Sequence, residues 1–196
     1  MMNARERSRI ETRRRLMETG LELFARQGVA ATRASDIAHE SGVAVGTLYL
    51  HFKDKEGLLR AVLFEGVESL LQSLRGLLDV PERDLEGAIR RHTEALVWFA
   101  EKNPAHCRVL FDPESVRTRI STEITDHLVA TQEQRIRDSI KAGAVAGDLE
   151  PEVAARAIIG MIVQVLDWWT RDTGRMPAQK VVDTITRFRL CGMKTP

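Results

Sequence analysis

The sequence predicts an all-α fold, and three observations carry that prediction. No Asn-Gly or Asp-Gly pair offers a hairpin turn, no segment sustains apolar/polar alternation, and five of the six prolines stand just before a helical pattern. Proline is tolerated in a first helical turn because its missing N–H has no partner there in any case. Pro81, Pro104, Pro113, Pro151 and Pro177 therefore predict helices over about 81–102, 104–110, 113–142, 151–172 and 177–191. Asn103 and Asp112 precede two of these prolines and supply capping side chains.

Upstream, Ile10, Met17, Leu21 and Phe24 recur at the helical period, Leu16, Gly20 and Leu23 widen the stripe, and Gly28 is placed for a left-handed cap. A second long stripe runs through Leu59, Val62, Leu63, Val67, Leu70, Leu74 and Leu77 and fades at Asp79-Val80-Pro81. Asp54 caps it, with Gly57 where a capping box would carry an acid. Between the two stripes, Val29 to Lys53 leaves room only for short elements. Thr32 can cap a first short helix that buries Ile37 and Ala38, and Gly42 supplies the positive φ of a tight turn. Val43 packs between the two short helices. In the second, Leu48 and Phe52 face inward at i and i+4, which leaves Val45, Gly46, Thr47, Tyr49, Leu50 and His51 outside.

With 196 residues, 43% hydrophobic and 29% charged, the chain can bury a substantial core. Its net charge of +1 conceals an asymmetry: the first 60 residues hold eleven bases against eight acids, and six arginines fall within the first fifteen positions. Such an arm suits a polyanion. Cys107 and Cys191 are far apart, with no Cys/His spacing that suggests zinc or a disulfide framework, and both read as ordinary thiols. The polar start lacks a secretory h-region, and the apolar stretch Ala157 to Trp169 is short for a bilayer, so a cytoplasmic protein with no membrane partner is expected. No Gly-rich phosphate loop, Gly-x-Ser-x-Gly elbow or metal-ligand spacing occurs, so no catalytic residue, cofactor or metal is assigned.

From Ala154 to Trp169 the pattern is apolar nearly all round, which requires burial on two sides. Packing this helix and the last one against their copies in a homodimer meets that requirement, and Ile158, Ile162, Leu166, Trp169, Val181, Ile185 and Phe188 are the expected interface. The other side of the helix, with Met161, Gln164 and Val165, is expected to face a cavity walled by Trp98, Phe99 and Phe111. His92, His106 and His127 are further polar candidates there. A cavity filled by the chain's own side chains, or a purely interactive helical scaffold, stays open as an alternative.

Asp36-Ile37-Ala38, Gly42-Val43, Gly46-Thr47-Leu48-Tyr49, His51-Phe52 and Lys53-x-Lys55 together resemble the signature of the TetR repressor family. The resemblance spans roughly residues 9–60 by motif and the remainder by helix pattern. It implies a three-helix DNA-binding domain over residues 1–53 and a helical effector-binding and dimerisation domain over 54–196, linked by a helix over 54–78. It also implies phosphate contacts from Arg33, Thr47, Tyr49, His51 and Lys55, with Lys53 beside them, and base-edge approach by Val45, Gly46 and Leu50. The implied function is a homodimeric repressor on a palindromic double-stranded DNA operator, released by a small apolar effector. Two departures stand out: Ala44 replaces the serine that often caps the reading helix, and Val45 replaces a polar reader.

Overall fold

The computed structural model describes residues 3–74, 85–111 and 119–193, which form nine α-helices, one 3-10 turn and no strand. The helix starts expected at Pro81 and at Asp112-Pro113, and the fading stripe from Leu77 to Pro81, lie outside the described residues.

Helix α1 (Ala4–Gln27) begins where the Asn3 carboxamide accepts the Glu6 N–H at 2.8 Å, satisfying one orphan donor. It ends at Gly28, whose φ of +83° is positive as expected but whose ψ of 158° is extended, not left-handed helical. Helix α2 (Ala34–Glu40) starts one residue later than the Thr32 cap predicts. The Thr32 hydroxyl is buried and donates to the Gly28 carbonyl at 2.7 Å, so it closes the preceding loop instead. Arg33 takes the cap position, and its N–H donates to the Asp36 carboxylate at 3.1 Å. The turn after α2 is a Schellman motif: Val43 N–H reaches Ala38 O, Gly42 N–H reaches His39 O, and Gly42 sits at φ +66°. Helix α3 (Val45–His51) follows, with Ala44 at its N-cap and no side-chain bond there.

Helix α4 (Lys55–Leu74) opens on Asp54, which accepts from the Gly57 N–H at 2.7 Å. Helices α5 (Leu85–Lys102) and α6 (Pro104–Phe111) meet at Asn103. There the expected cap is reversed, because the Asn103 amide donates back to Phe99 O at 2.9 Å and closes α5 without capping α6. Helix α7 (Arg119–Lys141) ends before Gly143 at φ +71°, and Pro151 occupies the first turn of α8 (Pro151–Thr170). The 3-10 turn (Thr173–Arg175) leads to α9 (Ala178–Met193), and the Trp169 indole N–H donates to Met176 O across that turn at 2.9 Å.

Two cores form. The first joins Leu16, Leu23 and Phe24 of α1 to Ile37, Leu48, Phe52 and the Leu58–Val67 half of α4, and takes in Val109 and Ile124 from α6 and α7. The second gathers Leu70 and Leu74 of α4 with α5 and α6, Ile136 of α7, Ile158, Ile162, Leu166 and Trp169 of α8, and Val181 and Ile185 of α9. Helix α4 therefore contributes to both. Helix α8, with 20 residues and mean hydropathy 1.3, is long and apolar enough to cross a membrane, contrary to the shorter stretch read from sequence. Here its Ala155–Ile158–Ile162–Leu166–Trp169 stripe is buried against protein.

Candidate nucleic-acid interface and cavity

Helix α3 buries Leu48 completely and exposes Val45, Tyr49 and Leu50, the last at 79%. Three large apolar or aromatic side chains thus stand in solvent on a seven-residue helix whose packing uses one face only. Nothing lies within contact distance of a Cβ built on Gly46, so another surface could approach the backbone closely there. Arg33 and Lys53 are exposed around this face, while Thr47 and His51 are half-buried.

Two cations brace the helix-turn-helix, one at the end of α3 and one at the loop before α2. Arg13 of α1 donates to the His51 carbonyl at 3.1 Å and stacks over the Phe52 ring at 4.3 Å, so it caps the helix end and covers its inner aromatic. Sequence reasoning missed this role, since the partners are 38 positions apart and no local pattern links them. The Lys55 ammonium donates to Val29 O at 2.7 Å and Thr32 O at 2.8 Å, tying α4 to the loop before α2. An ammonium has three donors, so this brace leaves one N–H for a phosphate. Partial burial, with Arg9 and Arg13 nearby, lowers the His51 pKa below its ordinary 6.5.

The second core contains a cavity of about 110 Å³ between α4, α5, α6, α7 and α8. Its walls are chiefly apolar: Leu70, Leu74, Leu96, Phe99, Phe111 and Leu166. At one end His92, Gln132 and Arg135 also line it, and the same three residues line an adjoining chamber of about 50 Å³. Burial, with Arg189 and Arg135 adjacent, holds the His92 pKa down at about 3, so its imidazole is neutral. Burial also raises the Cys107 thiol to about 12, whereas Cys191 is exposed.

The cavity corrects several sequence-based assignments. Phe99 and Phe111 line it, but Trp98 is 60% exposed and carries the Lys102 ammonium 3.5 Å from its ring centroid on the surface. Gln164 is exposed, Met161 borders an outer groove beside Val153 and Phe188, and Val165 is not in the cavity wall. Ile162 and Leu166 line the cavity instead. The expected dimer interface changes likewise: Ile158, Ile162, Leu166, Trp169, Val181 and Ile185 are all at most 7% exposed inside the chain's own core, so a partner could not reach them. Phe188, at 67%, remains available. The stripe that α8 actually presents outward is Val153, Ala157, Gly160, Gln164 and Trp168, about half a turn from the predicted one.

An exposed helix on one core, with α4, α6 and α7 reaching from it into a second, hollow core, defines a helix-turn-helix protein with a further helical domain. The profile of bacterial regulatory proteins of the tetR family matches residues 16–62, and that of the tetracyclin repressor-like C-terminal domain matches residues 82–193. The chain belongs to the TetR family of DNA-binding transcription regulators. It is 36% identical over 77 residues to the uncharacterized HTH-type transcriptional regulator YerO of Bacillus subtilis, a match covering 39% of this chain and 25% of that protein. Over 177 residues it is 25% identical to the HTH-type transcriptional repressor KstR2 of Mycolicibacterium smegmatis, covering 85% and 82% of the two chains. Among solved structures, FadR of Bacillus subtilis in complex with stearoyl-CoA shares the fold with a TM-score of 0.78 at 16% identity, over 92% of this chain and 99% of that one. These relatives are regulators, and none of the three is described as an enzyme.

Proposed function

We propose that the protein is a cytoplasmic, homodimeric repressor that binds a palindromic operator and releases it when a small apolar effector enters the cavity. The observation that carries this reading is the double service of α4. Its Leu58–Val67 half is built into the reading-head core, and Val67, Leu70, Leu71 and Leu74 line the cavity. A molecule that displaces the cavity wall must therefore move a helix on which the reading head is packed. The repressor name of KstR2 and the stearoyl-CoA held by FadR support the same reading.

On DNA, Val45, Gly46 and Leu50 approach base edges in the major groove, where an aliphatic side chain recognises the thymine methyl. Arg33, Thr47, Tyr49, His51, Lys53 and the remaining Lys55 N–H hold phosphates and set the register. The outward stripe of α8, with Phe188 of α9, pairs with its copy. Gly160, open to a close approach, lets two α8 helices come together. The dimer sets the two α3 helices about 34–36 Å apart, one turn of duplex.

Selection of bound duplexes from a random pool, with and without an extract of small apolar metabolites, tests this function. The expected result is an inverted-repeat consensus whose enrichment falls when the extract is present. Recovery of no consensus at low salt would overturn operator reading, and a consensus indifferent to every extract would overturn effector control.

A further inference from the structure

Arg189 of α9 is a buried cation. It is 5% exposed, and its Nη1 donates to the Thr93 hydroxyl at 3.0 Å and the His92 Nδ1 at 3.3 Å, both on α5. Its Nε is buried with no hydrogen-bond partner. Among the described residues no carboxylate pairs with it: the acid two turns earlier on α9, Asp183, is bonded to Arg90 at 2.7 Å on the surface. The charge that acts on Arg189 is a second cation, Arg135 of α7, and burial with that neighbour lowers its pKa to about 10. A guanidinium out of water without a counter-charge is an unfavourable arrangement, and a fixed anion would relieve it.

The surroundings suit such an anion. Arg189 lines the chamber of about 50 Å³ together with His92, Gln132, Arg135 and Ser139. That volume holds one or two waters, at roughly 30 Å³ each, or a carboxylate in their place. The neutral His92 accepts the Arg189 N–H on Nδ1, so its own proton is on Nε2 and it is a second donor. His92, Gln132 and Arg135 also belong to the wall of the larger apolar cavity, so the cationic chamber and the greasy cavity are neighbours.

We infer that Arg189 and His92 form a head-group subsite for an aliphatic carboxylate whose alkyl tail occupies the cavity walled by Leu70, Leu74, Leu96, Phe99 and Leu166. The inference rests on reading that cavity as the effector site and specifies its ligand as an amphipathic monoanion. A dry cavity of about 150 Å³ accepts the six carbons of benzene, so one of about 110 Å³ suits an alkyl tail of about four carbons.

Calorimetric titration of the protein with pentanoate, pentan-1-ol and pentylammonium separates head from tail. Pentanoate should bind at least about tenfold more tightly than pentan-1-ol, the scale of a charge-assisted hydrogen bond, and pentylammonium should bind most weakly. Arg189→Met should erase the preference for pentanoate while keeping pentan-1-ol affinity, which also reports that the cavity has folded. Arg189→Lys should keep the order of the three. Equal binding of pentanoate and pentan-1-ol by the unsubstituted protein, or a preference that survives in Arg189→Met, would overturn the subsite and leave the effector cavity standing. Failure of all three to bind would overturn both.

Discussion

Val45 and Leu50 are unusual at the residue scale because a folded chain gains nothing from leaving a valine and a leucine in water on the same short helix. Under the proposed operator reading their second surface is DNA, where the available apolar feature is the thymine methyl. Replacing the matching operator thymines with uracil should therefore weaken binding by about 1 kcal/mol per contacted base, measured by fluorescence anisotropy. Unchanged affinity at every thymine of the half-site would remove both residues from the readers. His92 yields a prediction of a different kind. In the unfolded chain its pKa is near 6.5, while in the folded protein burial and the cations Arg189 and Arg135 hold it at about 3. Protonation thus favours unfolding, so the contribution of the neutral imidazole is complete above pH 6.5 and is lost as pH falls toward 3. At about 1.4 kcal/mol per pH unit, roughly 2 kcal/mol is gone by pH 5. Urea unfolding at pH 7 and pH 5 should show a steeper loss for the unsubstituted protein than for His92→Gln, and equal losses would contradict the assignment.

The recognition element is a seven-residue helix held by what surrounds it: the Schellman turn before it, Arg13 at its end and Leu48 beneath it. Its N-terminus lacks a side-chain cap, so Ala44→Ser should raise stability by about 0.5–1 kcal/mol, read as a higher melting temperature. A lower one would mean that the serine bonds elsewhere. Helix α1 meets α4 at Gly20, where an added Cβ would strike Leu58 Cδ2, and Leu58 is wholly buried. Gly20→Ala gains about 1 kcal/mol of helix propensity, against roughly 1–3 kcal/mol of overpacking at a side chain with nowhere to go. The variant should unfold at lower urea, and a gain in stability would show that Leu58 can shift. Helices and the reading motif were legible in the sequence because period, caps and a glycine turn are local signals. Proline alone placed the starts of α6, α8 and α9 to within a residue or two, since the Asn103 cap expected for α6 closes α5 instead. The faces of α8 were not legible: a helix apolar nearly all round has two candidate stripes, and periodicity cannot tell which one the chain covers itself. That is why Ile162 and Leu166 were expected at a partner and are found at the cavity. Arg189 was overlooked for a related reason, since an arginine on an amphipathic helix ordinarily reads as surface.

On the scale of the whole molecule, one core carries the helix-turn-helix and the other is hollow, and α4 has side chains in both, which is what the proposed effector control uses. A 100-fold change in operator affinity requires a coupling free energy of only about 2.7 kcal/mol, within the usual range for two linked sites. Differential burial of a few methylenes, each about 0.8 kcal/mol, is enough to supply it. Coupling of this kind is independent of the effector's identity, because anything that fills the cavity should act in the same direction. Leu96 lines the cavity on α5, across from α4, and is far from α3 in the chain. Leu96→Trp places a larger ring into the space an effector would occupy without altering any group on the reading face. The most direct measurement is the operator affinity of this variant beside that of the unsubstituted protein at one salt concentration, with melting temperature and dimer mass recorded for both. Operator binding weakened by about tenfold or more in a stable dimer is the result expected if the filled cavity moves α4. A stable dimer with undiminished operator affinity would contradict it.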